Sequence, residues 1–507
     1  VFRHIRQTVT LGGIFQISSE LERTLKPIVE EPRKAGHTKS ASSIRWALAS
    51  LSLSMLMPSL DTSIANVGLP TLARTFGASF QQVQWIVLAY LLAITTLIVS
   101  VGKLGDIFGR RRLLLIGISL FTLASLFCGI APTLWLLLAA RAFQGLGAAM
   151  MMALAIAMVG ETVPKERTGS AMGLLGTMSA IGTTLGPSLG GILIASFGWE
   201  TIFLVNVPLG IANFLLAACF LPADRRHRKV SQGRLDMIGT LLLALTLAAY
   251  ALAMTIGHGS FGALNMGLLL ATASGIALFA FTETKVKSPL LHLSMFHDRK
   301  LSTGLAMSTL VSTVIMATLV VGPFYLSRSL GFDAAHVGAI MSSGPLVSAL
   351  TGVPAGRIVD RFGAQRVTTT GLAGMIVGLF LIVMLQGRFG AAGYIGPLVI
   401  VTANYALFQA SNNTTIMKDI NAEQRGVISG MLSLSRNLGL ITGAAVMGAI
   451  FTFASGAADI TAAHPEAVAS GMQTTFAVAA LLIVGTLAIA LAGSAYAKRA
   501  PLSEEAL

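Results

Sequence analysis

Apolar stretches of about 20 residues recur almost end to end along this 507-residue chain, and that length matches the hydrocarbon thickness a single helix must cross. Windows of about 19 residues place candidate spans near 46–70, 81–101, 113–131, 134–158, 169–193, 201–221, 235–256, 264–282, 302–326, 334–354, 368–386, 392–412, 427–453 and 471–495. Unpaired backbone N–H and C=O groups are intolerable in lipid, so these runs are expected as helices whose Gly and Pro residues pack against protein. The expected fold class is an all-α integral membrane protein with 14 transmembrane helices. With 54% hydrophobic and 11% charged residues, against roughly a quarter charged in a soluble domain, the chain is excluded from the ordinary globular enzymes.

The net charge of +14 raises nucleic-acid binding as an alternative, and the placement of the charges decides against it. Basic residues cluster between apolar runs, as in Lys103, Arg110, Arg111, Arg112, Arg225, Arg226, Arg228, Lys229 and Lys418. They favour the termini and the even-numbered connections. Only Arg74, Arg328 and Arg388 fall in the opposite loops, and Arg141 and Arg436 fall within spans. Cytoplasmic loops facing anionic lipid carry this bias, so both termini are expected in the cytoplasm. Residues 1–45 have eight basic residues and no unbroken signal-peptide core, and read as a cytoplasmic tail. A second tail is expected over 496–507. Cys128 and Cys219 each sit inside an apolar run and read as small buried hydrophobes, without a disulfide or metal role.

A repeat organises the spans. After span 2 comes Gly102-Lys103-Leu104-Gly105-Asp106-Ile107-Phe108-Gly109-Arg110, and after span 10 comes Gly356-Arg357-Ile358-Val359-Asp360-Arg361-Phe362-Gly363. Each has Gly, Asp four residues on, and Gly three further. A weaker pair, Pro164 to Arg167 and Asn421 to Arg425, keeps a similar offset near 255 residues. The repeat divides the chain into a six-helix bundle at 46–221, two additional helices with linkers at 222–301, and a second six-helix bundle at 302–495. Two bundles rocking about a central site move a solute without opening a continuous hole. Gly102, Asp106, Gly109, Arg110 and Asp360 are then expected to form a conformational latch, the plain alternative being a basic loop that only sets topology. Gly182, Gly186, Pro187, Gly190 and Gly191 remove bulk at a four-residue period and cost one helical hydrogen bond, which suits close packing and a bend at the same gate.

On these residues the chain resembles the major facilitator superfamily, and within it the fourteen-helix drug/proton antiporter branch of the EmrB and QacA type. Gly102 to Arg112 resembles the superfamily signature between helices 2 and 3, and Leu60 to Pro70 the helix 1 signature of the branch. Arg141 to Ala149 is similar to the helix 4 motif, and Gly182 to Gly191 to the antiporter motif of helix 5. Trp199, Phe203, Asn206 and Pro208 fit the opening of helix 6. The resemblance implies a proton-coupled antiporter that exports drugs or secreted metabolites by alternating access, in the inner (cytoplasmic) membrane. Its closest rival is a proton-independent facilitator or importer.

Asp61 lies about ten residues from the outer end of span 1, where an ionised carboxylate costs roughly 2.5–3.5 kcal/mol. Such a cost marks either a paired ion or a group that takes up protons. Arg141 enters span 4 to a similar depth, so the two are expected to share one layer as a proton-coupling pair, a role the resemblance also implies for the helix 4 arginine. The alternatives are a packing carboxylate satisfied by Thr62 or Asn66, and an arginine that snorkels outward. Asn66, Gln144, Asn404, Gln409 and Arg436 are the candidate substrate-binding residues, with Arg436 read evenly as an anion holder or an inter-helix bridge. Some members of the branch carry a further acid in helix 10, whereas span 10 here has none beyond Asp333 at its mouth. No nucleotide-cradling GxxxxGK[ST] loop or histidine cluster occurs, so no cofactor or metal is expected. The expected partners are a small organic substrate, protons and the bilayer, with the chain itself a monomer.

Overall fold

The computed structural model describes residues 41–164, 167–224, 236–256, 262–286, 293–385, 389–417, 425–457 and 460–499. The expected tails at 1–40 and 500–507, the basic linker 225–235, and Lys418 with most of the Asn421 to Arg425 segment lie outside these residues. Among the described residues there is no strand. The helices in chain order are α1 (Ala41–Phe76), α2 (Phe80–Phe108), α3 (Arg110–Gly129), α4 (Leu134–Thr162), α5 (Thr168–Phe197) and α6 (Thr201–Phe220). There follow α7 (Met237–Thr255), α8 (Ala263–Lys285), α9 (Arg299–Ser329), α10 (Ala334–Gly352 and Pro354–Phe362), α11 (Ala364–Leu385) and α12 (Gly390–Met417). The last two are α13 (Arg425–Thr442, continued by Gly443–Met447 and Gly448–Ser455) and α14 (Pro465–Arg499).

Twelve of these are long and apolar enough to cross a membrane, or 13 when the two arms of α10, bent by 49°, count as one span. The all-α membrane fold stands, and apolarity among the described residues does not confirm the exact count of 14 transmembrane helices. The missing member is α1, whose 36 residues suffice in length but include Ser50, Ser52, Ser54, Ser59, Asp61, Ser63 and Asn66. All seven are buried, so that polarity faces protein.

Local chemistry sets the helix ends. Ser79 and Gln82 form a reciprocal capping box that starts α2. Gly109, at φ +93°, makes the turn into α3 in a conformation only glycine takes readily. Asp333 caps α10, and the His336 backbone N–H, 2.8 Å away, holds its carboxyl below the usual carboxylate range, helped by the His336 ring.

The packing repeats with a shift of eight helices. In the first group α1 packs on α5 and α6, α2 on α4, and α3 on α4 and α6; in the second α9 packs on α13 and α14, α10 on α12, and α11 on α12 and α14. Small residues make the tightest seam in each. A methyl on Gly182 would come within 2.9 Å of Leu60 N, and one on Gly186 within 2.9 Å of Ile64 N, while one on Gly439 would meet Ser312 Cβ at 2.7 Å and one on Gly443 Met316 Cβ at 2.6 Å. The α7–α8 hairpin packs on α2 through Trp85 to Thr255 (3.0 Å) and Ser100 with Thr240 (2.9 Å), and reaches α13 through Tyr250 to Thr442 (3.1 Å). Its outer face, including Leu264, Leu270, Ile276 and Phe281 of α8, is exposed, as lipid contact requires.

The two groups meet at the end carrying the α1–α2 turn, here the far end. Gln84 Nε2 donates to Ala444 O (2.8 Å), Gln81 Nε2 to Thr452 Oγ1 (3.0 Å), Arg74 to Ser327 Oγ (3.0 Å) and Thr184 Oγ1 to Pro345 O (3.0 Å). Phe80 sits edge-on to Phe324 and Phe451, with ring centroids at 4.7 and 5.3 Å. Toward the opposite, near end, Gly173, Gly176 and Thr177 of α5 and Leu346 and Leu350 of α10 are exposed. No atom lies within 4 Å of where a Cβ on Gly173 or Gly176 would stand. The groups close at the far end and part toward the near end.

Candidate functional site

Five helices converge on one buried polar centre in the first group. α1 brings Asp61, α2 Tyr90, α3 Ser125 and Cys128, α4 Arg141 and Gln144, and α6 Phe203 and Asn206. Asp61 and Arg141 are both 0% exposed, and the guanidinium Nη1 donates directly to Asp61 Oδ2. Asp61 Oδ1 accepts from Gln144 Nε2 (2.8 Å) and Asn206 Nδ2 (2.9 Å). Arg141 Nη1 also donates to Gln144 Oε1 (2.6 Å) and Nε to Ile86 O (2.9 Å). Gln144 closes a ring of bonds through Asp61 Oδ1 and also donates to Ser125 Oγ (2.8 Å).

Arg141 Nη2 has no hydrogen-bond partner. The guanidinium carbon instead lies 4.2 Å from the Tyr90 ring centroid and 5.6 Å from that of Phe203, where the ring quadrupoles favour a cation. A charged pair this deep persists because both Asp61 oxygens accept hydrogen bonds and the guanidinium adds two ring faces to its own. Chemically, the centre is a carboxylate whose charge is balanced by one arginine. A proton added to Asp61 removes that balance and frees Arg141 to seek another partner.

Among the described residues the second group has no such pair in its core. It has a cavity of about 290 Å³ between α9, α12 and α13, toward the end where α12 finishes and α13 begins. Ser308, Tyr405, Gln409, Asn413, Ser433 and Arg436 are among its lining residues. Ser435, beside Arg436, fixes α13 to α9 by donating to Leu305 O (2.5 Å) and pairing with Thr309 Oγ1 (2.9 Å). One residue on, the helix turns about 100°, and the exposed Arg436 reaches the cavity.

The sequence-derived substrate candidates therefore separate. Gln409 and Arg436 line the cavity, while Gln144 belongs to the Asp61 centre. Asn66 is buried in α1 and donates to Thr62 O (2.7 Å). Asn404 donates to Ile400 O (2.9 Å) and packs where a Cβ on Gly374 of α11 would stand, away from the cavity lining.

The expected latch residues also separate. Gly102 is exposed with nothing within 4 Å of a Cβ position, and close packing falls instead on Gly105, against Leu154. Arg110 pairs with Glu161 at 2.9 Å. Gly109 abuts Asp224, whose carboxylate accepts from the backbone N–H groups of Arg111 (3.0 Å) and Arg112 (3.2 Å) and so caps α3. The Asp106 side chain lies outside what the structure describes, and Asp360 is exposed at the matching turn. Gly186 meets Ser63, and the neighbouring Pro187 carbonyl meets Gly338 of α10, so this motif lies where α1, α5 and α10 join.

Asn206, Tyr90, Ser125 and Asp224 escape a reading for site chemistry. Asn206 alone leaves a usable trace, as one of two amides, with Asn213, in an apolar run.

The family model for the Major Facilitator Superfamily matches residues 51–444. The multidrug resistance protein Stp of Mycobacterium tuberculosis (strain CDC 1551 / Oshkosh) is 32% identical over 406 residues, 80% of this chain and 75% of that protein. The riboflavin transporter RibZ of Clostridioides difficile (strain 630) is 30% identical over 411 residues, 80% of this chain and 88% of its own. In fold, a bacterial homologue of the human lysosomal transporter Spinster, solved inward-facing and unoccupied, superposes with a TM-score of 0.65 at 15% identity, covering 91% of this chain and 99% of its own. The multi-pass helices, the eight-helix repeat in packing and the family match make this chain a membrane transporter belonging to the Major Facilitator Superfamily.

Proposed function

We propose that this transporter is a proton-coupled antiporter of the fourteen-helix drug/proton branch, exporting small organic compounds by alternating access. The observation that carries this reading is the Asp61–Arg141 pair, fully buried and linked through Gln144, Asn206 and the Arg141 bond to Ile86 O to three further helices. Protonation of Asp61 releases Arg141, and the packing of α1 against α4 and α6 changes with it. Because α1 also carries the Gly186 seam, a proton at Asp61 bears on the joint between the bundles. The relative named as a multidrug resistance protein supports export, and the riboflavin transporter supports small organic cargo.

In this reading 46–221 and 302–495 are the rocking bundles and 222–301 holds the inserted pair. The near end, with its basic turns, faces the cytoplasm, both termini lie there, and the chain works as a monomer in the cytoplasmic membrane. The structure then corresponds to the inward-facing state. Substrate enters the cavity at Gln409 and Arg436, while Gly109, Arg110, Gly186 and Pro187 serve the gate.

One observation favours the rival, a proton-independent facilitator: Asp61 is so completely hydrogen-bonded that it also suits a permanent structural ion pair. Substrate-induced proton release from proteoliposomes separates the two. Antiport gives release that Asp61→Asn abolishes at unchanged membrane abundance. Transport that is undiminished after the proton gradient is collapsed establishes the facilitator.

A further inference from the structure

Arg436 lies about 16 Å along α13 from Arg425, taking 1.5 Å per residue, and so within the membrane-crossing part of the helix. It is exposed to the cavity, and no acid among the described residues stands within salt-bridge distance of it. A lone guanidinium at this depth is costly unless water or an anion neutralises it. Asp61 and Arg141 cancel one another, and Arg436 has no such counterpart.

Among the described residues, the rest of the lining contains no carboxylate. Ser308, Gln409, Asn413 and Ser433 offer neutral hydrogen bonds, and Tyr405 and Phe408 offer aromatic faces. A cationic solute placed here meets a like charge and nothing to offset it. A carboxylate, sulfonate or phosphate meets a planar fork of donors that binds it with two parallel bonds.

We propose that this cavity selects compact organic anions bearing an aromatic or heteroaromatic body, with Arg436 as the residue that reads the acidic group. The inference rests on the reading of the cavity as the substrate site. It makes the cargo class the opposite of a lipophilic cation.

The test uses three probes of one shape, 1-naphthoate, 1-naphthalenemethanol and (1-naphthylmethyl)ammonium, with the full chain in lipid nanodiscs and equilibrium binding as readout. The acid is expected to bind at least tenfold more tightly than the ammonium. In Arg436→Gln the acid-to-alcohol affinity ratio collapses toward one, and in Arg436→Lys it falls about threefold, so the lysine variant decides the matter should the glutamine variant fold poorly. Equal binding of acid and ammonium, an unchanged ratio in both variants, or no binding of any probe overturns the proposal. Phe408→Ala tests the cavity independently. Weaker binding of the neutral alcohol in this variant, without any charge preference in the native chain, sinks the anion inference alone, whereas unaltered alcohol binding removes the substrate-site reading itself.

Discussion

In the first bundle Asp61 and Arg141 meet with both side chains sealed from solvent, whereas in the second Arg436 stands exposed in a cavity without an acid beside it. The helix pairings around the two are the same, and so is the glycine seam that ties α1 to α5 and α9 to α13. The scaffold was duplicated, and the charge chemistry was not. A sealed pair suits an exchange of protons that must not leak, and an open cation suits a visitor that comes and goes. Under the proposed antiport, the difference would place energy conversion in one half and recognition in the other.

The comparison is broken most severely by Arg141→Ala. It leaves a buried carboxylate unpaired, with an expected cost of about 3–5 kcal/mol. Thermal unfolding in detergent reads this directly. Arg436→Gln, by contrast, should change stability by no more than about 0.5 kcal/mol, because this exposed side chain pairs with no acid among the described residues. Equal losses in the two variants would show that Arg436 is a structural bridge.

A second test asks whether the glycine seams are equivalent. Gly186→Val and Gly443→Val each force a side chain into a neighbour, and overpacking of this kind costs about 1–3 kcal/mol. Comparable losses would mean that both seams are static. A Gly186 variant that keeps its stability but loses transport would identify the first seam as the moving one.

A smaller effect than that of either seam belongs to the contact between the bundles. Gln84→Ala removes one buried hydrogen bond, worth about 1 kcal/mol, from the far-end closure. Spin labels on α1 and α9 near Arg74 and Ser327 should then report a larger fraction of molecules with separated far ends.

Much of the fold is legible in the sequence because hydrocarbon imposes a length on every crossing segment. Even so, α1 shows how composition misleads: its serines and Asp61 depress its apolarity, yet they face protein and the helix is buried. Asp61 and Arg141 are legible because a charge in an apolar run is conspicuous. Tyr90 and Ser125 are not, since an aromatic or a hydroxyl is ordinary in such a helix until a cation stands against it. Asp224 shows a different limit. Its capping of α3 depends on where the chain after α6 returns, which no local pattern encodes.

The far-end closure carries a consequence for how such a protein diversifies. Gln84 and Thr184 of the first bundle donate to the main-chain oxygens of Ala444 and Pro345, an acceptor that every residue type provides. The second bundle can therefore exchange side chains at these acceptor positions without losing the bond. If cargo preference is carried by that same bundle, as proposed, it is free to drift while the closure the bundle shares with its partner stays in place.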